Sequence, residues 1–250
     1  MSIQRLKRTS KVLTILSATF VPFSVYANDT TPTLGFYGSG EAGLNDSTGN
    51  TTSTTLYGAL KLNYNETNHE LKSVFEVNYK SDNNVQSQER YLMDVQSNRF
   101  YSQDRSYYSF IGGQLEKSRF EGIELDTTLA IGLGKNLFKN DRTQLTGEAG
   151  IGYQSTTYTD EVGDKSTDQT VGRFKLVLDH QINATVDFYQ DAIYKTSSER
   201  NQIETNTGLK VKVAERLNFK AAYKYRHNDN PASNIKKTDT QTVLTLIYDF

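Results

Sequence analysis

From Thr33 onward apolar and polar residues alternate with period two, in segments bounded by clusters of Asn, Asp, Ser, Gly or Thr. The clearest segment runs from Gly122 to Asn136. Ile123, Leu125, Thr127, Leu129, Ile131 and Leu133 point one way there, and Glu124, Asp126, Thr128, Ala130, Gly132 and Gly134 the other. The next sets Leu145, Gly147, Ala149, Ile151 and Tyr153 against Gln144, Thr146, Glu148, Gly150 and Gly152. Later, Leu217, Phe219, Ala221, Tyr223 and Tyr225 oppose Asn218, Lys220, Lys224 and Arg226. Such segments recur about twelve times, those near Arg90 to Arg99 and Ser106 to Leu115 with mixed polarity.

Alternation suits any half-buried sheet, so the character of each face decides. The apolar face carries essentially no charge and often ends in an aromatic: Phe36, Tyr64, Tyr79, Tyr153, Tyr194, Tyr225, Tyr248. A lipid-facing strand with interfacial girdles needs that pattern. The other face is too polar for a sandwich core, because unpaired buried charges cost several kcal/mol each. Short turns at Asn136 to Asp141, Asp179 to Asn183 and Ala214 to Arg216 alternate with longer polar stretches at Thr156 to Asp168 and Asn228 to Lys237. A barrel with tight periplasmic turns and longer outside loops has this arrangement. The mature length allows roughly 18 to 19 residues per strand and connection, enough for a tilted membrane strand of about 9–11. The last segment, Thr240, Thr242, Leu244, Leu246, Tyr248 and Phe250, ends the chain on Phe. This resembles the signal by which outer-membrane barrels reach their assembly machinery, and assigns that role to Tyr248 and Phe250. The expected fold is all-β, a transmembrane antiparallel up-and-down β-barrel of about 12 strands and outer-membrane type.

The first 27 residues read as a targeting segment. Arg5, Lys7, Arg8 and Lys11 precede the mostly apolar stretch Val12 to Val25, and Val25-Tyr26-Ala27 offers small residues at the cleavage positions. A secretory signal peptide over 1–27, cleaved after Ala27, and a barrel over 28–250 follow. Cleavage removes four of the 28 basic residues and none of the 29 acidic ones, taking the net charge from -1 to -5. No basic surplus points to nucleic acid. The absence of Cys excludes disulfides, thiolate metal sites and Cys nucleophiles. A mean hydropathy of -0.63, without a long apolar run, excludes a helical membrane protein.

On the barrel reading, the polar face lines a lumen. Lys61, Glu76, Glu124, Asp126, Glu148, Arg173, Lys175, Asp187, Lys210, Lys212, Lys220, Lys224 and Arg226 are the candidate lining residues. Carboxylates gather around Glu124, Asp126 and Glu148, and cations around Lys210, Lys212, Lys220, Lys224 and Arg226. Opposed walls of this kind would set a transverse field that filters polar solutes. The other outcome is a lumen closed by salt bridges.

Enzymatic constellations are missing. Outer-membrane lipid-modifying enzymes use a His with a Ser and an acidic or amide partner near the outer rim. Of the 3 His, His69 and His180 fall in turns at the periplasmic side, and His227 stands near the outer rim with no Ser two residues on. Asp179-His180, the sole Asp-His dipeptide, lies at the wrong end for an omptin-like protease. Asp160, Glu161, Asp164 and Asp168 lack the spacing of a calcium loop and include Lys165 among them, as a solvated loop would. No catalytic residue, metal or cofactor is expected.

Several motifs resemble the salt-induced outer-membrane proteins of Gram-negative bacteria, the YdiY-like family. They are Asn45-Asp46-Ser47-Thr48-Gly49-Asn50-Thr51, the block Gly122-Ile123-Glu124-Leu125 through Gly132-Leu133-Gly134, Asp141-Arg142, and Glu148-Ala149-Gly150-Ile151-Gly152-Tyr153. The resemblance implies an outer-membrane β-barrel whose molecular activity is itself poorly defined. The expected function is a non-enzymatic barrel forming a narrow passive channel for small polar solutes or ions. The alternatives are a structural, stress-response envelope protein with a closed lumen and, behind it, a lipid-modifying enzyme using His227. The expected partners are outer-membrane lipid, lipopolysaccharide and the barrel-assembly machinery.

Overall fold

A computed structural model describes residues 34–47, 53–83, 85–160, 166–233 and 235–250. Residues 1–27, read as a signal peptide, and the loop segments 48–52 and 161–165 lie outside the described residues. Twelve strands follow in chain order: β1 Gly35–Ser47, β2 Ser53–Asn65, β3 His69–Asp82, β4 Val85–Phe100, β5 Tyr107–Ser118 and β6 Ile123–Lys139. Then come β7 Thr143–Tyr158, β8 Thr167–Gln181, β9 Val186–Thr196, β10 Asn201–Lys212, β11 Leu217–Asn228 and β12 Thr238–Asp249. Each strand pairs antiparallel with its chain neighbours and β12 returns to β1, closing the barrel. Closure leaves no sheet edge at the ends of the strand order, which an apolar solvent requires of any spanning sheet.

The seam is built by the last residues. Ser39 to Ala42 pair with Asp249 to Leu246. Beyond them Gly38 and Phe250 exchange backbone hydrogen bonds of 2.8 and 2.9 Å. A Cβ on Gly38 would come within 2.9 Å of the Phe250 ring, so only glycine lets that ring lie against β1. Phe250 is the final rung of the ladder.

The start of β1, the end of β12 and the connections 66–68, 101–106, 140–142, 182–185 and 213–216 share one end, here the turn end. Asn side chains shape two of these turns. Asn140 Oδ1 accepts from Arg142 N and Thr143 N at 2.9 and 2.7 Å, and Asn183 Oδ1 accepts from Thr185 N and Val186 N at 2.9 and 3.0 Å. Strands β6 and β8 run on to Lys139 and Gln181, past the starts expected for these turns, because their last residues still pair with β7 and, in β6, do so across a bulge between Asn136 and Phe138. The other end, the loop end, departs from uniformly long loops. Residues 119–122 form one short helical turn, and 197–200 a tight turn in which Ser197 Oγ accepts from Arg200 N at 3.1 Å.

Polarity is inverted relative to a water-soluble domain. Leu44, Ile111, Leu129, Leu133 and Ile151 on the outer face are each more than 60% exposed, whereas buried residues are more often polar than apolar. This is the distribution of a wall solvated by hydrocarbon outside and by its own polar groups inside. Aromatic residues stand towards both ends of the outer face: Phe36, Tyr64, Tyr107 and Tyr248 by the turns, and Tyr79, Tyr91, Tyr153 and Tyr194 by the loops. Lys135 places its ammonium 4.9 Å from the Tyr107 ring centroid, covering the aromatic in the manner of a snorkelling interfacial cation.

Candidate functional site

The inward face is the candidate site, and ion pairs organise it. At the loop end, Glu116 on β5 accepts from Arg90 on β4 at 3.0 and 2.9 Å, and from Arg226 on β11 at 2.6 Å. Strands β5 and β11 stand opposite one another in the ring, so the Arg226–Glu116 pair crosses the lumen. Arg90 also reaches Glu204 on β10 at 3.3 Å, and Arg226 reaches Glu121 in the 119–122 turn at 2.7 Å. Further in, Lys224 donates to Glu76 at 2.6 Å, and Tyr57 Oη donates to the same carboxylate at 2.9 Å.

Asp126 and Glu148, expected to form an acidic wall, are instead neutralised one by one. Asp126 accepts from Arg200 at 3.0 Å, from Thr156 at 2.6 Å and from Gln154 at 2.9 Å. Glu148 accepts from Arg173 at 2.7 Å, and from Gln96 and Tyr108 at 2.8 Å each. The cationic wall is also paired, with Lys220 on Glu41 and Lys224 on Glu76. A buried carboxylate keeps its charge only with such partners, so the walls touch where the barrel is driest. The segregation seen in the sequence therefore becomes a mesh of pairs, which weakens any transverse field.

Two aromatic patches fill the gaps in this mesh. Tyr108 and Phe110 lie over Gly134, Gly132 and Gly150, where a Cβ would run into the rings. Phe100 and Ala130 complete that patch, and Arg173 stacks 4.9 Å from the Phe110 centroid. Tyr57, Ala222 and Val243 form the other, with Lys224 4.4 Å from the Tyr57 centroid. Beside the first patch, against Phe110 and Ala130, a cavity lined also by Asp94, Gln96, Thr128, Arg173 and Lys195 offers about 20 Å³, room for roughly one water.

The turn end differs. Lys61, Asp187 and Lys212 are exposed, Lys175 sits across the β7–β8 ladder from Glu148, and Lys210 reaches Asp249 at 3.3 Å. These groups are exposed or half-exposed, in contrast to the buried pairs of the mesh. Of the lining candidates, Glu124 is placed elsewhere. A bulge between Ile123 and Leu125 reverses the alternation at the start of β6, so Ile123 is buried and Glu124 is exposed, bound to Lys117 at 2.6 Å. Glu124 is thus a rim residue. Glu41, Arg90, Glu116, Glu121 and Arg200 belong to the mesh although alternation did not mark them. Arg90 and Glu116 sit in the strands of mixed polarity, and Glu41 in a glycine-rich strand whose two faces look alike.

The three histidines stand apart. His180 Nδ1 contacts Thr143 Oγ1 and His227 Nδ1 contacts Thr238 Oγ1, both at 2.8 Å, and His69 opens β3 at the turn end. Among the described residues no group of three or more His, Asp or Glu is arranged to hold a metal. Part of the acidic run from Asp160 to Asp168 falls in 161–165, outside the described residues.

Wall and interior together define a transmembrane β-barrel of outer-membrane type. The chain belongs to the family described as "Protein of unknown function, DUF481", whose model matches residues 40–250. That assignment agrees with a resemblance to a family of undefined activity. No curated protein matches the sequence. Among solved structures the barrel is similar to the NanC porin, at 10% identity and TM-score 0.52 over 86% of this chain and 98% of that one. It is also similar to an outer membrane channel from Pseudomonas putida F1, at 8% identity and TM-score 0.51 over 91% of this chain and all of that one. Likeness at these identities extends to the fold.

Proposed function

We propose that the chain is a non-enzymatic outer-membrane barrel providing a narrow passive path for small polar solutes or ions. On this reading its turn end faces the periplasm, a signal peptide ending at Ala27 delivers it, and lipopolysaccharide surrounds its loop end. Tyr248 and Phe250, at the turn end, serve as the signal read by the barrel-assembly machinery. The observation that carries the reading is the composition of the lumen. Exposed charges at the turn end give way to a constriction made of buried, paired full charges, where apolar residues would have closed the barrel at less cost. Similarity of fold to a porin and to an outer membrane channel supports it. Planar-bilayer recording of refolded protein tests it, and conductance no greater than that of lipid alone would remove it.

A second reading, a structural envelope barrel with a permanently closed lumen, is favoured by the pairs that bridge the lumen at 2.6 to 3.0 Å. Deletion that weakens the envelope without altering solute uptake would select it. Catalysis by His227 has little support, since its ring meets a threonine of the neighbouring strand. An altered lipid A or phospholipid profile on overexpression would revive that idea.

A further inference from the structure

We propose that Arg105 docks the oxyanion group of a small solute (a carboxylate, sulfonate or phosphate) at the turn end of the lumen. This rests on the channel reading and adds the chemical class of what the barrel admits. The arginines of the mesh each meet a carboxylate at 2.6 to 3.0 Å. Arg105 does not. Its Nη2 comes only to 3.9 Å from Glu70, too far for a hydrogen bond, and its Nη1 is buried with no hydrogen-bond partner. With 11% of the side chain exposed, the guanidinium is nearly enclosed yet keeps donors unused. A buried donor left unmet is costly, a cost that a ligand accepting from it would offset.

The backbone holds the side chain in this place against its own preference. Arg105 takes φ 55, a left-handed conformation that suits glycine better than a residue with a Cβ. The 101–106 turn imposes it. Arg105 N donates to Ser102 O at 3.0 Å, Arg105 O accepts from Asn136 Nδ2 at 3.1 Å, and Ser106 N donates to Ser102 Oγ at 3.0 Å. The guanidinium then lies on Phe100, with Cζ 3.9 Å from the ring centroid. Stacking fixes the plane and leaves the N–H edges for a planar acceptor, and strain held by surrounding structure is what positioned functional groups show. The neighbouring strands complete the corner. Glu70 and Asn98 share one inward row, and Tyr37 and Lys72 lie in the next. Glu70 is already bound, accepting from Asn98 at 2.8 Å and from Lys72 at 3.0 Å, and Asp104 in the turn is held by Ser106 at 2.8 Å. Tyr37 Oη accepts from Asn65 at 3.3 Å, which leaves its own hydrogen to donate. Arg105 and Lys72 outnumber the one carboxylate between them, Glu70, so the corner favours an anion. Guanidinium binds carboxylate and phosphate through two parallel hydrogen bonds, which neutral or cationic solutes cannot accept in that form.

The test is calorimetric titration of the refolded mature chain, in an uncharged maltoside detergent, with inorganic phosphate and separately with acetate at constant ionic strength. Saturable binding of at least one anion is expected, weakened about tenfold or more in Arg105→Gln. Phosphate alone assigns a phosphate-bearing solute, and acetate alone a carboxylate. Binding unchanged in Arg105→Gln, or absent from the native chain for both anions, overturns the site. Arg105→Gly separates docking from a structural role, and decides if Arg105→Gln does not fold. Relief of the backbone should hold or raise its urea midpoint while binding is lost. A lowered midpoint with native anion binding makes Arg105 structural and overturns the proposal. Bilayer conductance of the same samples judges the channel separately. Binding without conductance keeps the site and removes the channel, and conductance without binding does the reverse.

Discussion

Replacing Glu116 by Leu separates a dry constriction from a water-filled one. Glu116 is 3% exposed and binds two guanidiniums, Arg90 at 2.9 Å and Arg226 at 2.6 Å. Removing one member of a buried pair leaves uncompensated charge and costs about 3–5 kcal/mol. Here Glu204, 3.3 Å from Arg90 and 3.4 Å from Arg226, and Glu121, 2.7 Å from Arg226, absorb part of the excess. The lower end, about 3 kcal/mol, is therefore expected for Glu116→Leu. Since the urea dependence is about 1–3 kcal/mol per molar, the midpoint should fall by about 1–3 M. The chain has no Trp, so the folded fraction is read in lipid vesicles from the mobility of unheated samples on a gel, with far-ultraviolet circular dichroism as a second probe. Charges in a water-filled lumen behave as surface pairs worth about 0–1 kcal/mol and are screened by salt. A loss below about 1 kcal/mol that vanishes at high salt would refute the dry constriction.

Three further tests probe other parts of the architecture. Gly134→Val drives a side chain into the Tyr108 ring and should cost about 1–3 kcal/mol, whereas Gly40→Ala, with open space around its Cβ, should be close to neutral by the same urea titration. Leu133→Arg on the lipid face should cost about 2–4 kcal/mol, and Asp187→Asn at the turn end less than about 0.5 kcal/mol. Equal costs would mean that the two faces are misassigned. Deleting Phe250 removes the pair with Gly38 at the seam and should lower the yield of heat-modifiable barrel on refolding into vesicles, and an unchanged yield would show that the last rung is dispensable.

The wall of the barrel was legible in the chain because lipid demands a continuous apolar face, and period-two alternation in β6, β7, β10 and β11 records it directly. Strands β4 and β5 were harder to read. Tyr108 and Phe110 put aromatics on the inner face of β5, while Arg99 and Lys117 put charge on the outer face near strand ends. The bulge at Glu124 was invisible for a related reason, since one extra residue reverses a face without changing composition. Pairing within the lumen could not be read at all. Alternation says which side chains point inward, but whether Glu116 meets Arg226 depends on which strands stand opposite once the ring closes. Arg200 stands in the 197–200 turn, yet its guanidinium returns into the barrel to Asp126 and Thr156.

Single-channel recording of the refolded mature chain in a planar bilayer tests the central claim most directly. The account predicts small, discrete conductance steps that grow when the cross-lumen pair is removed as a unit by combining Glu116→Gln with Arg226→Gln. A silent bilayer with both the native and the doubly substituted barrel, each shown to be inserted, would contradict it.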